Sequence, residues 1–234
     1  MESSLYLLIV LIEWVMLVTI AAPLFLAGRF RSKPTLGIFF WLTAIATSIL
    51  ATVWALLIAV TSVFESYFRL QQDDDLFSIM VVSFAPWLLL GFAGILLALV
   101  NQRLSGLFRV EKQPIESMLG GKPKQPFRRA NVLELSLPGY FALTRGKEIF
   151  FSTAVFELPA QQFEAVLEHE YGHIALRHGL IKKFAFLIYQ LVPWVVASRA
   201  MKNEIDVLAE LAADNYALKR VDRKDLNQAR RLFI

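Results

Sequence analysis

Three long apolar runs occupy the first hundred residues of the chain. They cover residues 5–26, 36–63 and 76–100; the first contains one charge, Glu13, and the other two contain none. As α-helices rising 1.5 Å per residue, all three are long enough to cross a hydrocarbon core of about 30 Å. A chain of 234 residues has too little other protein to bury three such runs in a soluble core. The pattern therefore predicts three transmembrane helices, the first of them retained because no basic residue precedes it.

The charges between these runs predict their orientation. The first loop carries three bases and no acid, the second carries four acids against one base, and residues 101–129 carry seven bases against two acids. Loops rich in Lys and Arg stay in the cytoplasm. We therefore expect a multi-pass protein of the cell (plasma) membrane, with the N-terminus outside and everything after residue 100 inside.

Residues 101–130 read as a basic cytoplasmic linker. Proline and glycine interrupt this stretch at residues 114, 120, 121, 123 and 126, and it has no apolar periodicity. Its bases are expected to lie against anionic lipid headgroups. No nucleic-acid partner is expected, because aromatic side chains do not alternate with the bases and no recognition-helix pattern is present.

From residue 131 onward the pattern is that of a folded domain. Short β-prone runs at 132–137, 140–144 and 149–152 are separated by the turn dipeptides Pro138-Gly139 and Arg145-Gly146. These runs predict a small antiparallel sheet. A helical pattern follows from Pro159 and is expected to continue until Gly179 stops it.

This helix contains the sequence His169-Glu170-Tyr171-Gly172-His173, an HExxH motif. Two histidines four residues apart lie on one helix face, where both can bind one metal ion. Zinc suits the pair because it accepts neutral imidazole and keeps an open position in catalytic sites. The chain has three histidines and no cysteine, which excludes cysteine-ligated zinc, disulfides and cysteine nucleophiles.

A third protein ligand must then be a carboxylate. Asp206, Glu210 and Asp214 recur every four residues on one face of a later helical pattern. Small alanines beside Glu210 would let the two helices approach closely, and a nearly buried acid requires a partner such as a metal. We expect Glu210 to be the ligand and Asp214 to accept the free ring N–H of a ligating histidine.

These motifs resemble the gluzincin peptidases, which combine HExxH with an ExxxD helix. More narrowly, the stretch from about Asn131 to Arg220 resembles the BlaR/MecR-type integral-membrane metallopeptidases. By this resemblance His169, His173 and Glu210 bind one Zn²⁺ per chain, Glu170 is the catalytic base, and the peptidase faces the cytosol. The chain ends at residue 234 without the penicillin-sensing domain of the β-lactam transducers, so β-lactam sensing is not expected.

The fold expected from this reasoning is a membrane α-helical bundle followed by a mainly α, α+β gluzincin-like zinc peptidase domain over residues 131–234. A further apolar stretch at 184–197 predicts an interfacial or re-entrant helix near 181–198, flanked by Lys182, Lys183 and Arg199. A fourth crossing is the alternative, but it would separate the two ligand helices.

Three further residues are candidates for oxyanion or substrate contacts: Tyr216, His178 and Arg220. His178 lies five residues beyond His173, a helical rotation of about 140°, so we expect it to be solvated or to support a ligand from outside.

The function expected is that of an integral-membrane zinc endopeptidase acting on a cytoplasmic or membrane-associated protein, with substrate paired to a sheet edge. The resemblance implies a regulator such as a transcriptional repressor as substrate, a sensor as partner, or self-cleavage in the linker. The alternatives are an HtpX-like quality-control peptidase and a non-catalytic, zinc-stabilised membrane scaffold or receptor.

Overall fold

A computed structural model of the protein describes residues 2–71, 75–104 and 121–233. The chain divides into two compact units. The apolar unit comprises residues 1–29, 39–110 and 188–201, and the α/β unit comprises residues 30–38, 111–187 and 202–234. In chain order the elements are α1 (Glu2–Leu26), α2 (Pro34–Gln71), α3 (Leu76–Leu104), β1 (Lys122–Pro123), β2 (Asn131–Leu135), β3 (Ala142–Arg145), β4 (Glu148–Ser152), α4 (Thr153–Phe156), α5 (Ala160–Ala175), α6 (His178–Leu191), α7 (Val196–Ala217) and α8 (Arg223–Arg230).

The three predicted membrane helices are confirmed as α1, α2 and α3. Each is long and apolar enough to cross a membrane. Inside the apolar unit Leu8, Trp41 and Ala59 are fully buried, whereas Phe77 and Leu88 are 75% and 70% exposed. A surface of large apolar side chains is unfavourable in water and favourable in lipid. The pattern of exposure therefore marks the protein as a membrane protein.

The second helix is longer than its apolar run. It continues past Val63 to Gln71, because no glycine or proline interrupts it there and Glu65 forms an ion pair with Arg69 at 2.7 Å, one helical turn on. The next helix begins where the carboxylate of Asp75 accepts the backbone N–H of Ser78 at 3.2 Å, a typical N-terminal cap.

In place of the single helix predicted near 181–198, the structure has the end of α6 and the start of α7, joined by a turn. The first helix ends at Leu191 and the second begins at Val196. In the first turn of the second helix, the Ser198 hydroxyl donates to the carbonyl of Val192 in the turn at 2.8 Å. Pro193 has no backbone N–H to continue the helical hydrogen bonds, which favours an end of the helix here. The side-chain oxygen of Asn101 in α3 accepts the N–H of Val196 at 2.8 Å, so residues 188–201 are tied into the apolar unit.

The sheet is mixed, which corrects the expectation that it would be antiparallel. Its strand order is β1-β2-β4-β3, and β2 and β4 run parallel while the two outer pairs are antiparallel. The physical reason is that the tight turn at Gly146 folds β4 back between β2 and β3. The Ser152 hydroxyl donates to the Gly139 carbonyl at 2.7 Å and accepts the N–H of Phe141 at 3.0 Å, which holds the β2–β3 loop in place.

The end of the predicted linker belongs to this sheet. Lys122 and Pro123 pair with Glu134 and Leu133 of β2, and the ammonium of Lys124 forms an ion pair with Glu134 at 2.9 Å. At least part of the basic stretch is therefore structured by strand pairing. Residues 105–120 of the predicted linker lie outside the described residues.

The core of the α/β unit lies between the sheet and α5. Ile149 and Phe151 of β4 are fully buried, and they cluster with Val166 and Leu167 of α5. On the same helix the buried Glu168 accepts hydrogen bonds from both terminal nitrogens of Arg128. This pair fixes α5 to the chain that enters β2.

The first site helix ends earlier than predicted. Its last residue is Ala175, and Arg177 adopts a left-handed conformation with φ of 55°. Gly179, the expected stop, lies in the first turn of α6 instead. The break falls between His173 and His178 and changes where His178 lies.

Candidate metal centre and active site

Helix α5 carries the two histidines and the glutamate of the HExxH motif. The Nε2 atoms of His169 and His173 lie 3.3 Å apart, as residues one turn apart on the same face allow. Glu170 is buried beside them. The local spacing alone thus brings both imidazole nitrogens to one point.

Helix α7 adds Glu210 to this point. One carboxylate oxygen, Oε2, lies 3.3 Å from Nε2 of His169 and 3.4 Å from Nε2 of His173. The two helices come close because Gly172 faces Ala213: a Cβ on Gly172 would lie 3.2 Å from both the Cα and the carbonyl oxygen of Ala213. The predicted close approach of the two helices is therefore present.

The donor set fits a tetrahedral metal ion. Bonds of about 2.0–2.1 Å at tetrahedral angles place neighbouring ligand atoms about 3.3–3.4 Å apart, which matches all three distances among these atoms. His169, His173 and Glu210 form the one such metal-binding group found in residues 2–71, 75–104 and 121–233. Three acceptor atoms that face one another at this distance repel unless a cation or a proton lies between them. These residues could therefore hold a metal ion and leave one position open.

Asp214 holds the first histidine from outside. Its Oδ1 lies 2.9 Å from Nδ1 of His169. If Nε2 is the metal-binding atom, Nδ1 carries the proton and donates to Asp214. The other oxygen of Asp214 accepts a hydrogen bond from Arg230 of α8. The structure thus places the carboxylate of Asp214 between His169 and Arg230.

His178 holds the second histidine, and it is not solvated. Because the chain breaks at Arg177, His178 turns back toward α5; it is only 1% exposed, and its Nδ1 lies 2.9 Å from Nδ1 of His173. With Nε2 of His173 facing the metal position, Nδ1–H of His173 donates and His178 accepts. Burial and the neighbouring His173 lower the pKa of His178 from 6.5 to about 3, so it is neutral and able to accept.

The charges of the candidate ligands depend on one another. Burial alone would lower the pKa of His169, but hydrogen bonds to Asp214 and Glu210 outweigh it and raise this pKa from 6.5 to about 9. Burial alone would raise the pKa of Glu210, but the two histidines and Lys182 hold it far below its ordinary value. Glu210 is therefore a carboxylate, and a bound cation would take the place of a proton among these groups.

Thr144 on β3 holds the carboxylate of Glu170. Its hydroxyl lies 2.6 Å from Oε2 and 3.1 Å from the backbone carbonyl of the same glutamate. A hydroxyl has one proton, and the shorter contact is the one to the carboxylate. Strand β3 is the last strand in the sheet order, so the contact joins the carboxylate of Glu170 to the outermost strand.

A cavity of about 280 Å³ opens over these groups. It is a partly open cavity lined by both polar site residues and apolar side chains. Its lining comprises Ala142, Val166, His169, Glu170, Glu210, Leu226, Ala229, Arg230 and Phe233. A peptide segment that enters here would meet Glu170, His169 and Glu210 together.

The other two candidate contact residues lie elsewhere in the α/β unit. The guanidinium of Arg220 stacks over the ring of Tyr216 at 4.7 Å and approaches the buried Glu168 at 3.9 Å. Neither residue lines the cavity. The cation that does line it is Arg230.

Sequence reasoning missed Thr144, Lys182 and Arg230 as site residues. Thr144 belongs to a predicted strand, but no motif in the neighbouring sequence indicates a functional role for it. The sequence pattern predicts that Lys182 flanks a membrane-associated segment. In the structure its ammonium instead lies 2.8 Å from Oε1 of Glu210. Arg230 belongs to a strongly charged helix, and the charges of such a helix are ordinarily interpreted as a solvent-exposed face.

The model of peptidase family M48 matches residues 119–229. This stretch contains all four strands and the whole of α5 and α7. No curated protein and no solved structure is significantly similar to the chain. The match makes this part of the chain similar to a family of metallopeptidases. The narrower BlaR/MecR-type relationship stays a prediction.

Proposed function

Starting from the M48 match, we propose that this chain is an integral-membrane, zinc-dependent endopeptidase. The observation that carries the proposal is the triangle of His169, His173 and Glu210, with edges of 3.3–3.4 Å, beside a buried glutamate. Zinc bound there would supply an acidified water and polarise a substrate carbonyl. A purely structural zinc site carries four protein ligands and needs no base, so the scaffold alternative fits this geometry less well.

In this proposal Glu170 moves the protons. Its carboxylate accepts a proton from the attacking water and returns it to the leaving amine. Thr144 keeps the carboxylate turned toward the cavity through its 2.6 Å hydrogen bond. Arg230 lies at the cavity wall, where a guanidinium can stabilise negative charge on the carbonyl oxygen.

Substrate would bind in extended form along β3. This strand pairs with β4 on one side and is the last strand in the sheet order. No strand of residues 121–233 pairs with its other edge, which would be available for strand addition. Hydrogen bonds to backbone dominate such binding, which favours broad sequence preference. A cytoplasmic regulator, or the chain's own residues 104–130, remains the proposed substrate, with HtpX-like quality control as the alternative.

The loop charges support a cytoplasmic α/β unit. The loop after the first span carries Arg29, Arg31 and Lys33 without an acid, and basic loops remain inside. In this orientation the N-terminus is outside, and the turn at residues 192–195 is part of a re-entrant segment and does not form a fourth crossing.

The proposal is tested on the full-length chain in detergent, by metal content and by cleavage of casein. Wild type is expected to hold about one zinc ion per chain. Glu170→Gln should keep the zinc and lose cleavage by about 100-fold or more, because general-base catalysis contributes at least that much. Glu210→Ala should lose both.

Glu164→Gln is the matched control, because Glu164 is an exposed acid on the same helix. It should behave as wild type. A folded, zinc-loaded Glu170→Gln protein that cleaves as fast as wild type contradicts the catalytic assignment, and zinc retained in Glu210→Ala contradicts the ligand assignment.

A further inference from the structure

The two oxygens of Glu210 face different partners. Oε2 faces the histidines at 3.3 and 3.4 Å, while Oε1 lies 2.8 Å from the ammonium of Lys182 on α6. The side chain of Lys182 is 30% exposed, so the ion pair is partly shielded from water. One oxygen of the carboxylate thus faces the position where a metal ion would bind, and the other oxygen faces the ammonium of Lys182.

A carboxylate can bind a metal through one oxygen or through both. If Glu210 turned to use both, Oε1 would have to leave Lys182, and the second oxygen would fill a coordination position. A catalytic zinc site needs that position for water or for the substrate carbonyl. An ion pair on the outer oxygen therefore opposes two-oxygen binding by Glu210.

Lys182 completes a set of three outward contacts. Each of the three ligand residues has one atom facing the metal position and one atom facing a partner: Asp214 for His169, His178 for His173, and Lys182 for Glu210. Such outer partners fix the orientation of ligands and contribute to metal affinity. Lys182 is the only one of the three that the sequence pattern attributes to the membrane surface.

We propose that Lys182 is a positioning residue that holds Glu210 as a one-oxygen ligand and so keeps a coordination position of the metal open. The inference rests on the proposed function. It assigns to Lys182 a role at the metal centre, and it leaves the flanking role at the membrane to the adjacent Lys183, which is exposed.

The test uses Co²⁺ as the probe, bound to the full-length chain in detergent in place of zinc. Four-coordinate cobalt absorbs visible light several-fold more strongly than five- or six-coordinate cobalt. Lys182→Met should weaken this absorption, because a released Oε1 adds a bond, and should raise the zinc dissociation constant about tenfold. Lys182→Arg, which can still donate to Oε1, should retain the wild-type spectrum.

Lys183→Met is the matched control, since it removes the same charge one residue along the chain. It should leave the spectrum and the zinc affinity unchanged. If Lys182→Met does not fold, Lys182→Leu, which also lacks a hydrogen-bond donor, carries the same expectation. A folded Lys182 variant with the wild-type cobalt spectrum and zinc affinity overturns the inference, even if its cleavage rate falls.

These readouts separate the two proposals. Wild type that binds neither metal overturns both of them. Wild type that binds metal and does not cleave overturns the proposed activity alone, because the cobalt spectrum still reports on Lys182.

Discussion

At the scale of single residues, the side chains of the site are held from behind by hydrogen bonds and ion pairs. The four pairs are Thr144 with Glu170, Asp214 with His169, His178 with His173, and Lys182 with Glu210. The ion pair that Arg230 forms with Asp214 extends this set by one residue. Reacting groups that are fixed in advance need less rearrangement as charge develops during the reaction. The outer contacts are therefore as much a part of the candidate site as His169, His173 and Glu210.

The contact of Thr144 with Glu170 predicts a loss of turnover without a loss of metal. Thr144→Val removes the hydroxyl and keeps the shape. It should lower kcat/KM for casein by about tenfold to a hundredfold, since a hydrogen bond to a charged group contributes about 1.5–3 kcal/mol. Zinc content should stay at the wild-type value. Thr144→Ser, which keeps the hydroxyl, is the control, and equal loss in both variants would show that the hydroxyl is not the cause.

At the scale of elements, the site depends on how closely α5 and α7 pack. Gly172 lies between the two histidines in sequence, and it faces the backbone of Ala213 next to Asp214. Ala209 and Ala213 are fully buried. Small residues at this crossing let backbone approach backbone, and the carboxylates of α7 thereby reach the histidines of α5.

Gly172→Ala is expected to weaken metal binding. Helix propensity alone favours alanine over glycine by about 1 kcal/mol, but the added Cβ would lie 3.2 Å from two backbone atoms of Ala213 and push the helices apart. The zinc dissociation constant should rise about tenfold, as it does when supporting contacts are lost.

The control for this change is Gly179→Ala in α6. A Cβ there meets nothing within 4 Å, so the zinc affinity should not change. Competitive titration with a zinc chelator measures both variants. Unchanged affinity in Gly172→Ala would mean that the helices yield without moving the ligands.

At the scale of the whole molecule, two helices contribute to both units. Residues 188–201, at the end of α6 and the start of α7, belong to the apolar unit. The α/β-unit parts of the same helices carry His178 and Lys182 on α6, and Glu210 and Asp214 on α7. Helices α6 and α7, on either side of the turn at residues 192–195, thus each run from the apolar unit into the α/β unit.

The absence of cysteine makes the membrane orientation directly testable. Single cysteines at the exposed positions Ser32, Gln71 and Lys219 can be probed in intact cells with a maleimide that does not cross membranes. Gln71→Cys should react, and Ser32→Cys and Lys219→Cys should react only after the cells are opened. Labelling of Lys219→Cys from outside would contradict a cytoplasmic site and require the opposite orientation.

The sequence by itself determined the features that depend on local spacing. Apolar runs specify membrane-length helices wherever the run is long enough, and the four-residue interval from His169 to His173 brings two nitrogens to one side of any helix. The interval from Glu210 to Asp214 acts in the same way on α7. The positions of these elements were therefore predictable without tertiary structure.

Only the tertiary structure decided which distant residues support the site. Thr144 reaches Glu170 because β3 is the edge strand of a mixed sheet, and strand order depends on pairing between segments distant in sequence. His178 and Lys182 reach the candidate ligands because the helix ends before Arg177, which has a left-handed φ. Glycine is the usual sequence signal for this conformation, and it does not occupy this position. Periodicity describes one element at a time, whereas these contacts arise from the packing of several elements.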